Sequence, residues 1–212
     1  MTSPSRRAFA TAALASLVVS CGGHPAQRTT TTTGRGATTP STPTTTSSPA
    51  RQSANAARAL RRSVPVGLRI PAIEVDTPLI RLGLTQGGGV EVPPVTAHDR
   101  AGWYQFSPTP GQTGPSVILG HVTVGAYGDG VFRHLDRLRR DDRVEARLEN
   151  GTTAVFTVDS VRTVAKAEFP ADAVYGDVDR PELRLITCGG PRTGDGYLDN
   201  VIVFATLSSA GR

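Results

Sequence analysis

From Pro65 onward the chain is written in short apolar runs cut apart by turn residues, a texture that restricts it to a fold made of strands. Residues 66–70 and 73–80 are extended runs interrupted by Pro71, whose missing N–H suits an edge or a bend. Residues 116–121 form an apolar strand after the loop SPTPGQTGP. Residues 143–148 alternate cleanly, with Val144, Ala146 and Leu148 on one face and Arg143, Glu145 and Arg147 on the other. Asn150-Gly151 then predicts a hairpin turn into residues 152–164. Residues 183–187 and 201–207 are nearly continuous in apolar character, as central strands are. A helical patch is expected at 131–138, where Val131, Leu135 and Leu138 share one side, and a turn around 169–175. About eight strands in roughly 145 residues predict a mainly β fold, a barrel or a sandwich, with one core and one or two short helices.

Upstream of Pro65 the composition forbids a core. Residues 22–64 are dominated by Thr, Ser, Pro and Gly, as in RTTTTTGRGATTPSTPTTTSSPA, and cannot offset the entropy of ordering. They read as a tether reaching on the order of 35–40 Å as a flexible coil. Residues 1–21 read as an export signal: Arg6-Arg7, an apolar run over 8–19, then Ser20-Cys21-Gly22-Gly23. That run is short of the roughly 20 apolar residues a membrane-spanning helix needs. The string SRRAF resembles a twin-arginine signal. VVSC followed by Gly-Gly resembles the lipobox of bacterial lipoproteins, which would make Cys21 the lipid-modified N-terminus; a plain cleaved signal is the alternative. The folded unit is expected at 65–208.

The charge follows the same division. All 18 acidic residues fall between Glu74 and Asp199, and residues 65–210 carry 14 basic ones, a net charge of −4. The overall +5 therefore belongs to the N-terminal arm, which argues against a nucleic-acid-binding face on the domain.

Cys188, in LRLITCGG, ends an apolar run before a Gly-Gly turn. The only other cysteine is Cys21, beyond the tether, so Cys188 is expected to be an unpaired thiol outside the cytoplasm. It is either a nucleophile or a small buried hydrophobe. Of the four histidines, His24 falls in the tether, His98 in a loop and His134 in the helical patch, while His121 follows Gly120 where an apolar strand ends. His121 is placed much as Cys188 is, and a Cys–His pair activates a thiol; a histidine capping a loop is the plainer reading. Asp99, Asp129, Asp136, Asp141 and Asp142 have no recognisable ligand spacing, and no CxxC or HExxH occurs, so no metal or other cofactor is expected. Trp103 and Tyr104 are expected to pack at a barrel end, and Arg133 to lie on the surface.

Several strings together resemble one family. LRIPAIEVDTPLI, AGWYQFSPTPGQTGPSVILGH, VFRHLDRLRRDDRVEARLENG and LRLITCGG followed by DNVIVFA are similar to the sortases, the cysteine transpeptidases of Gram-positive cell walls, and most similar to actinobacterial members grouped as class E or F. The resemblance implies an eight-stranded β-barrel on the outer face of the cell membrane. Cys188 would attack an LPXTG-like sorting signal and form a thioester, resolved by an amine of a peptidoglycan precursor or by water. His121 would be the acid/base, with Leu119 and Thr187 in the groove wall. Sortases carry an arginine shortly before the last strand; here that place holds Asn200, in GYLDN, and Asn200 or the loop residue Arg192 would assist the oxyanion. The competing readings are another exported cysteine enzyme of the wall, such as an L,D-transpeptidase whose SHGC-type string is absent here, and a non-catalytic lipoprotein that binds wall peptides.

Overall fold

The alternation read in residues 143–148 is the wall of a closed barrel. In the computed structural model, which describes residues 57–194 and 196–212, Arg143–Leu148 (β7) buries Val144, Ala146 and Leu148 inside and turns Arg143, Glu145 and Arg147 outward. The export signal, Cys21 and the tether through residue 56 lie outside the described residues. The Asn150-Gly151 turn follows, with Gly151 at φ +80°, a conformation that favours glycine. It leads into Thr153–Ala165 (β8), which pairs antiparallel with β7.

The other walls are Pro65–Ile70 (β1), Val75–Leu82 (β2), Ala101–Tyr104 (β3), Gly114–Leu119 (β4), Pro181–Thr193 (β9) and Gly196–Gly211 (β10), closed in the order β1-β2-β3-β4-β9-β10-β8-β7. Two short strands, Thr123–Val124 (β5) and Gly128–Asp129 (β6), pair outside that ring. Most contacts are antiparallel, but β2–β3 and β4–β9 are parallel, which forces long connections between those partners. The 83–100 connection and the stretch from β5 to β8 are those crossovers, and both carry residues that reach the candidate site.

Apolar side chains of β4, β7, β8, β9 and β10 fill the interior with Trp103, Phe132 and Leu138. Trp103, expected at a barrel end, is buried in this core, and its Nε1–H donates to the Pro108 carbonyl at 3.2 Å. The expected helix at 131–138 is a single 3-10 turn, Leu135–Arg137; its apolar residues are used to plug the barrel rather than to line one side of a longer helix. The one α-helix among the described residues is Ala171–Tyr175 (α1), where the sequence reads only as a turn. Packing on the barrel also begins upstream of residue 65. Ala57, Leu60 and Val64 lie against the core, and Leu60 N–H donates to the Gly111 carbonyl at 2.7 Å.

A second, smaller cluster sits on the outside of the barrel. Val117, Ile186 and Ile202 alternate with the interior residues of β4, β9 and β10 and are covered by Val174 of α1, with Leu119, Val164, Phe169 and Phe204 packed beside them. This covered outer face carries the candidate site.

Candidate functional site

Because strand side chains alternate, the residue type at every second position of β9 belongs to one face. Glu182, Arg184, Ile186 and Cys188 follow the outer face, opposite the interior Leu183 and Leu185. Cys188 is therefore not at a strand mouth, as its place before Gly-Gly suggests, but well inside a strand that runs on to Thr193. It is half-buried and unpaired. Two residues on, Gly190 takes φ +69° with the Asp199 side chain against it, so a Cβ there meets both strain and a clash.

The neighbours on both sides bring polar side chains level with Cys188. On the β10 side the antiparallel register sets Asn200 directly across from it, on the same face. On the β4 side the parallel register pairs Leu119 with Ile186, and Gly120 N–H continues it by donating to the Ile186 carbonyl at 3.1 Å. His121 thus follows β4 at the level of Cys188. The two side chains make no hydrogen bond with each other in the structure; catalytic contacts of this kind often tighten only with substrate bound. Instead, His121 Nε2 lies 2.6 Å from the Pro93 carbonyl, in the β2–β3 crossover. A carbonyl only accepts, so Nε2 carries the proton of this contact. Nδ1 is left as the nitrogen able to exchange a proton.

The other expected site residues are distributed differently. Leu119 is half-buried on the outer face, between His121 and the apolar cluster. Thr187 belongs to the interior: it is buried, and its hydroxyl donates to the Gly120 carbonyl at 2.8 Å, tying β9 to the His121 turn. Arg192 lies far out on the β9–β10 hairpin, exposed, with its guanidinium 5.8 Å from the Tyr197 ring centre. Asn200, not Arg192, is thus the expected assisting residue that is adjacent to Cys188.

Two cavities flank this face. One, about 600 Å³, is lined by Tyr104, Phe106, Pro108, Val117, Phe169 and Tyr175 among others, and so opens on the same side of β4 as Leu119. Burial pushes the Tyr175 phenol above its ordinary range, with Tyr104 adding to the effect, which leaves a neutral hydroxyl among aromatic rings. The other, about 310 Å³, borders Cys188 itself and is lined also by Phe132, Arg133, Asp136, Thr163 and Tyr197. Of the residues lining the two cavities, sequence reasoning assigned to the site only Cys188 and Thr187, and it treated Arg133 as surface; Leu119 lines neither cavity. The dense aromatics of WYQF and of 169–175 were the available signal for the first cavity. Nothing local in the sequence signals Pro93, which precedes His121 by 28 residues. Among the described residues no group of His, Cys, Asp and Glu is arranged to hold a metal ion, and no helix is long and apolar enough to cross a membrane.

The described residues thus form a closed, mainly β barrel in which a free thiol on β9, an amide on β10 and an imidazole just beyond β4 lie at one level. The chain belongs to the sortase family: residues 68–208 match the family model described as Sortase domain. The fold is shared with solved structures. Sortase A from Corynebacterium diphtheriae, in a lid mutant, superposes with a TM-score of 0.53 at 20% identity, covering 70% of this chain and 72% of that one. Sortase C-1 from Actinomyces oris gives 0.52 at 21% identity, over 68% and 74% of the two chains. The SrtA sortase of Actinomyces oris gives 0.52 at 22% identity, over 76% and 89%. No curated protein matches the chain.

Proposed function

We propose that this protein is a cell-surface transpeptidase that cleaves an LPXTG-like sorting signal through a Cys188 thioester and passes the acyl group to a cell-wall amine. The observation that carries the reading is the shared outer face: Cys188 with Asn200 across from it, His121 level with it, and an aromatic groove on the same side of β4. Val117, in that groove, precedes His121 by four strand positions, about 13 Å at roughly 3.3 Å per residue. An extended peptide with its scissile bond at Cys188 would thus place a side chain three or four residues upstream in the aromatic groove. The leucine and proline of an LPXTG-like signal fit that spacing and that lining.

Under this reading the Cys188 thiolate attacks the Thr–Gly carbonyl, and the Asn200 side-chain amide donates to the oxyanion that develops. His121, oriented by Pro93 through Nε2, gives its Nδ1 proton to the departing amine, and the thioester remains on Cys188. The incoming amine attacks the thioester, its surplus proton passes to His121 Nδ1, and the C–S bond breaks to restore the thiolate. A neutral amide in place of an arginine stabilises the oxyanion without a full charge. The N-terminal arm supports anchoring on the outer face of the membrane through Cys21, and the strings quoted above favour a class E or F actinobacterial type.

The test is to incubate the full chain with LPXTG-type peptides and look by mass spectrometry for an acyl adduct on Cys188. An adduct ending at the threonine is expected, and His121→Ala is expected to abolish turnover. Folded protein that forms no adduct and cleaves no peptide across several sorting motifs would replace this reading with a wall-peptide-binding lipoprotein.

A further inference from the structure

One nitrogen of His121 is held by a carbonyl remote in sequence, and the chain around that carbonyl is stiff and fastened at both ends. Pro93 is buried, and its carbonyl meets His121 Nε2 at 2.6 Å. Val92 and Pro93 each precede a proline, which confines both to extended backbone, and Pro94 takes φ −56° and ψ 145°. Residues 92–94 therefore form a polyproline-type rod whose carbonyls have little freedom to turn. At the front of the rod, Glu91 closes the base of a hairpin: its N–H donates to the Gly83 carbonyl at 3.1 Å, and its Oε2 accepts from Gly83 N–H at 2.7 Å. Glu91 makes no ion pair among the described residues, so its carboxylate is kept for this backbone donor. At the back, the Pro94 carbonyl accepts from Ala97 N–H at 2.8 Å, that of His98 from Val131 N–H at 3.0 Å, and that of Asp99 from the Thr77 hydroxyl at 2.7 Å. The ring closes at the histidine: Phe132, next to Val131, donates its N–H to the His121 carbonyl at 2.9 Å.

We propose that Glu91 is a positioning residue for the transfer reaction: by clamping the rod at its base, it keeps the Pro93 carbonyl on Nε2 and fixes His121 as the Nε2–H tautomer. The inference rests on the transpeptidase reading above and deepens it by assigning the group that orients the acid/base. With Nε2 always carrying a proton, Nδ1 is the nitrogen that gives a proton to the departing amine and takes one from the incoming amine. An imidazole released from the carbonyl exchanges its two tautomers and turns about its own axis, and in the wrong tautomer Nδ1 cannot accept. The hairpin that Glu91 closes has a second use, since Leu84 and Val90, paired with each other, also line the aromatic groove. A role in shaping the groove alone would appear in peptide affinity, whereas a role in positioning appears in the rate once peptide is bound.

The experiment reads the tautomer and the rate separately. Ring-nitrogen NMR of full-length protein carrying isotopically labelled histidine reports the tautomer, with His121 identified by the signal that His121→Ala removes. In the wild type, neutral His121 is expected as the single Nε2–H tautomer. Glu91→Ala unfastens the front of the rod and Pro94→Gly loosens the rod itself, and both are expected to mix the tautomers. In single-turnover acylation by a sorting peptide, each is expected to lower the plateau rate roughly tenfold or more, with the half-saturating peptide concentration changed less than about twofold. Glu91→Gln keeps an oxygen able to accept from Gly83 N–H and is expected to recover most of the loss. Mixed tautomers in the wild type, folded Glu91→Ala and Pro94→Gly variants that keep the wild-type His121 signal, or a loss that lies wholly in the half-saturating concentration, would overturn the positioning role. A wild type with the single Nε2–H tautomer that acylates with no sorting peptide would overturn the transpeptidase reading, while the hold of the rod on the imidazole would stand.

Discussion

Strand β9 presents one outer face with two opposite designs. At its start, Glu182 and Arg184 are buried and fully committed. The Glu182 carboxylate accepts from Arg180 Nε at 2.6 Å and from Arg184, while Arg184 Nε donates to the Ala173 carbonyl of α1 at 3.2 Å and its guanidinium sits 4.6 Å from the Phe204 ring centre. Four residues on, Cys188 is half-buried, with no partner for its sulfur. The first end spends polar groups on holding α1 against the sheet; the second leaves a half-buried, unpartnered thiol beside the 310 Å³ cavity. A buried charge is tolerable only when satisfied, and a nucleophile is useful only when it is not. The covered ion pair thus ties α1 to the same strand that carries the half-buried thiol.

The comparison breaks most sharply at the thiol. If Cys188 is the nucleophile, Cys188→Ala is expected to lower turnover by roughly 10⁴-fold or more, since the acyl intermediate is lost with it. The melting curve is expected to shift by about 1 kcal/mol or less, because a half-buried sulfur with no partner is removed. Peptide cleavage assays beside thermal unfolding check both halves, and a large loss of stability would mean that Cys188 is a core residue.

Glu182→Gln reverses that pattern. It leaves Arg184 buried with its charge uncompensated, and a loss of about 3 kcal/mol of stability is expected. Activity per folded molecule is expected to hold near the wild-type value, measured below the unfolding transition. Replacing both partners, Glu182→Leu with Arg184→Met, is expected to recover much of the loss, since the penalty comes from the orphaned charge and not from the missing pair.

How far this division was legible depends on where each signal sits along the chain. The strand at 143–148 and its Asn150-Gly151 turn were readable because alternation and turn chemistry are local. Cys188 and His121 were readable as residue types, although Cys188 lies within its strand and only His121 follows a strand end. The Glu182–Arg184 pair was not, since its charges sit at the edge of a run read as a central apolar strand and α1, which covers it, looks like a turn in sequence. The parallel β4–β9 pairing, which brings His121 level with Cys188, and the Pro93 contact to His121 both depend on crossovers, and no periodicity encodes them. Asn200 was found by counting back from the last strand, and the register places it across from Cys188.

Asn200 tests how much of the open end's chemistry lies outside the thiol. If its amide donates to the oxyanion, Asn200→Ala is expected to reduce the acylation rate about 10²-fold, with little change in peptide affinity. Asn200→Arg restores a donor and adds a charge, and is expected to exceed the alanine variant. An alanine variant as fast as wild type would leave the oxyanion to backbone donors.

The smallest effect sets the baseline for the buried pair. Asp76 and Arg147 bridge the β2 and β7 sides of β1 at 2.8 Å, both well exposed. The hydrogen bond from Arg147 holds the Asp76 carboxyl below its ordinary range. A carboxylate whose folded pKa is depressed adds stability above its unfolded pKa and loses it as pH falls through the folded one. The contribution of this pair is therefore expected to be present at neutral pH and to fade in the acid range below that of an ordinary aspartate. Asp76→Asn is expected to change stability at neutral pH far less than Glu182→Gln does, and the two curves are expected to converge on acidification. Urea unfolding of both proteins from neutral to acid pH measures this. A neutral-pH loss as large as that of Glu182→Gln would mean that burial is not what separates the two ion pairs.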